Sequence, residues 1–145
     1  MADTIGIANA QKTLGLVWYV MPLPAIAILA SQTFFGHTFE GKESEIWGWF
    51  CPQVVPSLTL ISSRLFVPST ERDSRRVPRF RFRLALAASV LYLLAIDLII
   101  FNIPKLVLPL ATLQRTGLWL GIFQGVAISA LGSFFVPNPA PQARN

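Results

Sequence analysis

Four apolar runs, each long enough to cross a hydrocarbon layer, constrain this chain more than any other feature. They are Leu14–Ser31, Trp47–Phe66, Leu84–Ile103 and Gly117–Val136. At 1.5 Å per residue, about 20 helical residues span a bilayer core about 30 Å thick. Only 13% of the 145 residues are charged, whereas 53% are hydrophobic. That is about half the usual charged share, too little to coat a soluble domain of this size. The expectation is an all-α integral membrane protein: one bundle of four transmembrane helices within residues 1–136, then a disordered tail at 137–145.

The last run, GLWLGIFQGVAISALGSFFV, carries small residues at Gly117, Gly121, Gly125, Ser129 and Ser133. Each lies four positions after the last, so on a helix they form one stripe. Glycine costs a soluble helix about 1 kcal/mol against alanine. In a bilayer, small residues let a second helix approach, and packing drives association there. The stripe predicts close packing against an internal helix, a second copy or another membrane protein.

The other runs are less regular. Pro22 and Pro24 lie in the middle of the first and predict a kink. Lys12, an apolar core and Ala25-Ile26-Ala27 also suit a cleaved signal peptide, although prolines sit badly in such a core. The second run opens on Trp47 and Trp49, an interfacial pair, and holds Pro52 and Pro56 four residues apart. It reads as a helix that is broken or weakened there, with Ser57, Thr59 or neighbouring helices satisfying the freed carbonyls. The piece Lys105–Thr116, interrupted by Pro109, is too short to cross and is placed at the interface.

Orientation follows from the arginines. The connection Arg64–Arg83 holds Arg64, Arg72, Arg75, Arg76, Arg79, Arg81 and Arg83 against Glu71 and Asp73. If it is cytoplasmic, the inner segments also hold Lys12 and Arg144, and the outer ones only Lys42, Lys105 and Arg115. The positive-inside rule then puts both termini in the cytoplasm of a multi-pass cell-membrane protein. Arg72, Arg75, Arg76, Arg79, Arg81 and Arg83, with interleaved phenylalanines, are candidates for contact with anionic lipid headgroups. No fold module surrounds them that would suit nucleic acid.

Asp97 is the one carboxylate inside an apolar run, and a charge near a bilayer centre costs about 2.5 kcal/mol or more. Counted from the outer ends of their runs, Asp97, Gln53 and Gln124 each lie about 9–10 Å deep. They form a candidate intramembrane polar site. In one reading, neutral Asp97 hydrogen-bonds Gln124 or Gln53 and fixes helix register. In another it lies in a wet cavity and handles a proton, a cation or a cationic substrate. In a third, a partner subunit supplies its counter-charge.

Catalysis has little to work with. His37 and Cys51 are single in the sequence, which leaves no multi-cysteine or histidine metal site and no internal disulfide. There is no GxSxG, HExxH or P-loop. The function expected is a non-enzymatic membrane subunit or scaffold, without cofactor or metal, that assembles with itself or a partner. The alternative is a small oligomeric channel or transporter that uses Asp97.

Overall fold

The computed structural model describes residues 4–36, 41–65, 76–103 and 109–136. They are almost entirely helical. In chain order the elements are β1 (Thr4–Gly6), α1 (Ile7–Val20), α2 (Leu23–Phe35), α3 (Glu43–Leu65), β2 (Arg76–Pro78), α4 (Arg79–Asn102) and α5 (Pro109–Phe135).

α1 and α2 form one rod with a break at Met21–Pro22. Pro22 and Pro24 have no N–H, so the carbonyls of Trp18 and Val20 lose the donors a regular helix would supply. Regular bonds bracket the gap, from Met21 N to Val17 O at 2.9 Å and from Ile26 N to Pro22 O at 3.0 Å. The kink expected inside residues 14–31 is thus a break between two helices. The rod also starts about two turns earlier than expected, at Ile7.

α3 runs without interruption through Pro52 and Pro56, so the broken alternative for this run does not hold. Glu43 and Glu45 in its first turn and Arg64 in its last complement the helix dipole. The helix thus begins at Glu43, four residues before the apolar run. α5 likewise begins at Pro109, eight residues before the expected start. Part of the piece assigned to the interface is therefore its first two turns. Proline suits a helix start, where its missing N–H costs nothing.

The rods form a closed ring in which α1/α2 touches α3 and α4, α5 touches α3 and α4, and α1 also meets α5 across the middle. α3 and α4 are successive in sequence yet sit on opposite corners. A two-stranded antiparallel ribbon closes one end, with Thr4 opposite Pro78, Ile5 opposite Val77 and Gly6 opposite Arg76. Nothing in the hydrophobic pattern anticipates this ribbon. At the same end the last carbonyls of α5 are capped from other helices. Gln11 Nε2 donates to Phe134 O at 2.6 Å, and Arg64 Nε donates to Phe135 O at 2.9 Å. A cation at a helix C-terminus also suits the dipole.

Leu14, Trp18, Ile61, Tyr92, Leu93, Ile96, Ala127 and Leu131 fill the centre. Many large apolar side chains nevertheless point outward. Leu91, Leu98, Phe101, Leu118, Trp119, Ile122 and Phe123 are all more than half exposed. Such a surface is far larger than the apolar patches of soluble monomers. Three segments are long and apolar enough to cross a membrane: Ile7–Phe35 taken through its break, Arg79–Asn102 and Ala111–Phe135. α3 is long enough, but Gln53, its prolines and its serines dilute its apolar residues. Gly117–Val136 was one of four expected crossings, and Trp47–Phe66 is the one that does not meet this measure. The tail 137–145 lies outside the described residues.

Candidate functional site

The polar centre of the bundle begins with a backbone defect. Pro56 cannot donate to the carbonyl four residues before it, which is that of Pro52. In a bilayer that carbonyl has no water to turn to. Gln124 of α5 supplies the missing donor, with Nε2 2.7 Å from Pro52 O and 3.4 Å from Gln53 O. The expectation that a neighbouring helix would satisfy the proline gap is realised here, by one named amide.

From the opposite corner, Tyr92 of α4 reaches across to the same turn. Its hydroxyl lies 2.8 Å from Gln53 Oε1 and 3.0 Å from Gln53 O. The single phenolic proton is shared between those two acceptors. Gln53 is 8% exposed and Tyr92 is 2% exposed. Trp18 of α1 lies beside this pair, its ring centroid 5.9 Å from that of Tyr92 at a 34° tilt. All four rods therefore meet at one level through Trp18, Gln53, Tyr92 and Gln124.

Gln53 and Gln124 are thus brought together as the depth count suggested. Asp97 is not part of their network. It meets the backbone N–H of Ala25, in the first turn of α2. The prolines that break the first rod create this position: α2 starts inside the bundle, and Pro22 at its N-cap offers no side-chain acceptor. Asp97 approaches this turn from α4 and places a carboxyl at the positive end of the α2 dipole. Its Oδ1 is buried without a hydrogen-bond partner. Among the described residues Asp97 bonds neither Gln124, which donates to Pro52 O and Gln53 O, nor Gln53, whose Oε1 accepts from Tyr92.

The small-residue stripe divides. A Cβ added at Gly117 would lie 3.1 Å from Trp49 Nε1, so that glycine admits α3. At Gly121 and Gly125 an added Cβ would meet nothing within 4 Å. Ser129 and Ser133 are exposed, and the Ser133 hydroxyl bonds Ala130 O in its own helix. The geometry explains the division. Steps of four residues advance 400° around a helix, so the stripe drifts about 40° per step and leaves the α3 contact after its first member. Leu118 and Ile122, 79% and 63% exposed, flank the outward part.

Arg76, Arg79, Arg81 and Arg83 are exposed where the ribbon feeds α4, next to Phe80, which is 75% exposed. Arg72, Arg75 and His37 fall outside the described residues. Cys51 is free and exposed. Tyr92 and Trp18 are the contributors the sequence did not single out. Pro56 was the available signal, because it marks Pro52 O as needing an outside donor. Searched against family models, curated proteins and solved structures, the chain matches none of them.

Proposed function

We propose that this chain is a non-enzymatic membrane subunit that crosses the bilayer four times. It assembles with a second copy through the outward face of α5. The observation that carries the assembly is the open space over Gly121 and Gly125 between exposed Leu118 and Ile122. Two glycines in a lipid-facing helix leave a groove that lipid tails fill less well than a second helix does.

The ribbon supports the fourth crossing. Residues 4–6 and 76–78 pair directly, so they lie on one side of the membrane. If Ile7–Phe35 crosses, α3 must cross back before residue 76. Its modest apolarity is offset by the burial of Gln53 and Ser57 inside the ring. The arginines at the ribbon favour the cytoplasmic side for that end, and so for both termini. Arg76, Arg79, Arg81 and Arg83, with Phe80, suit anionic headgroups there.

The test is association of labelled protein in liposomes, read by energy transfer, for wild type against Gly121→Leu and Gly125→Leu. Both variants should keep the wild-type unfolding midpoint, because an added side chain meets nothing inside the chain. Both should lose energy transfer. Unchanged transfer would overturn assembly through this face. A second reading, a small channel or transporter, rests on the buried, unpartnered Oδ1 of Asp97. It requires solute or proton flux in liposomes that Asp97→Asn abolishes.

A further inference from the structure

Most hydroxyls in these helices turn back onto their own backbone. Ser31, Thr33, Thr59, Ser62, Ser63 and Ser133 each bond a carbonyl three or four residues earlier. Ser57 and Ser89 do not. Both are 0% exposed, and both hydroxyls lack a partner. The indole N–H of Trp18, also 0% exposed, is the third such group.

The two serines share a layer, and the Trp18 ring borders it. Ser57 follows Gln53 by one turn on α3, about 6 Å along the axis, and Ser89 precedes Tyr92 by about 4.5 Å on α4. The two helices run in opposite directions, so both steps lead toward the ribbon. Gln53 and Tyr92 are hydrogen-bonded to each other, which sets the two serines at matching depth on facing corners. The Trp18 ring packs against Tyr92 from the third corner. Two serine hydroxyls thus enter the middle of the bundle one turn below the Tyr92–Gln53 bond, beside the Trp18 ring.

We propose that Trp18, Ser57 and Ser89 hold a buried water molecule there. The chemistry selects a neutral ligand with both hydrogen-bonding functions. The indole only donates, whereas each hydroxyl donates and accepts. A water can accept from Trp18 and from one serine and donate to the other. Three partners is the usual number for an internal water. An ion would need a counter-charge, and no charged side chain among the described residues shares the layer. The bound water extends the Gln124–Gln53–Tyr92 network by one turn and joins it to α1.

The opposing account is that the serines are merely small and leave room for the indole. The two accounts predict opposite signs for Ser57→Ala and Ser89→Ala. If the water is held, each variant loses a partner for it, and the unfolding midpoint falls in both. If the serines only make room, removing two buried unpaired hydroxyls leaves the midpoint unchanged or raises it. The wild-type protein supplies an independent readout that needs no variant to fold. With ¹⁵N-labelled tryptophan in lipid nanodiscs, the Trp18 indole proton should show magnetisation transfer from water. Its resonance is identified by its disappearance in Trp18→Phe. A Trp18 indole proton without water transfer, or alanine variants as stable as wild type, overturns the proposal.

Discussion

Replacing Gln124 by leucine keeps the volume of the side chain and deletes its amide, so the effect isolates the donor that serves Pro52 O. Interhelical hydrogen bonds in membranes average about 0.6 kcal/mol and reach about 1.7 kcal/mol. A polar group left without any partner costs about 1–3 kcal/mol. Pro56 removes the within-helix alternative, which places Gln124→Leu near the top of the first range, at about 1.5–2 kcal/mol. Pro56→Ala restores an N–H that can donate to Pro52 O. In that background Gln124→Leu should cost only about 0.5 kcal/mol, a coupling of about 1 kcal/mol between residues on different helices. Because Pro56 is exposed, alanine is accommodated without repacking. Equilibrium unfolding in mixed micelles, run on all four members of the cycle, measures the coupling. Costs that add within about 0.3 kcal/mol would refute the claim that Gln124 serves the carbonyl freed by Pro56.

Further outcomes follow from the same geometry. Tyr92→Phe removes the bonds to both Gln53 acceptors and should destabilise by about 1–2 kcal/mol in the same assay; a neutral effect would mean that the ring alone matters. Asp97→Leu deletes the cap on Ala25 N–H and should cost about 0.5–2 kcal/mol. Asp97→Asn keeps an acceptor oxygen and should recover more than half of that; equal losses would rule out capping as the role of this side chain. Replacing Arg76, Arg79, Arg81 and Arg83 together by glutamine should send part of the population into the inverted orientation, read by protease access to a C-terminal tag. Uniform orientation would show that these arginines do not set topology.

The helices were legible because a long apolar run must satisfy its backbone groups internally, which makes it a direct helix signal. Their ends were less so. α4 begins at Arg79 rather than Leu84, because arginines can remain helical while their charged ends stay in the headgroup region. α1 begins seven residues before the apolar run because hydropathy says nothing of where helical bonding starts. The meeting of Gln53 with Gln124 could be reached by counting depth, since one-dimensional depth survives without knowing which helices are neighbours. The partner of Asp97 could not. Its contact is a backbone N–H exposed by the Pro22 break, and an N–H carries no residue identity to search for. Tyr92 was equally hidden, because its bond crosses the diagonal of a ring whose order the sequence does not specify.

That ring order bears on how the protein is made. α3 has α1/α2 on one side and α5 on the other, so its second flank stays unoccupied until the final helix leaves the ribosome. α4 emerges earlier but takes the far corner. During that interval the carbonyl of Pro52 has no donor, because Gln124 has not yet been synthesised. A chain stalled or truncated before residue 109 would carry this unsatisfied polar turn, a mark of an unfinished copy that the arrival of Gln124 erases.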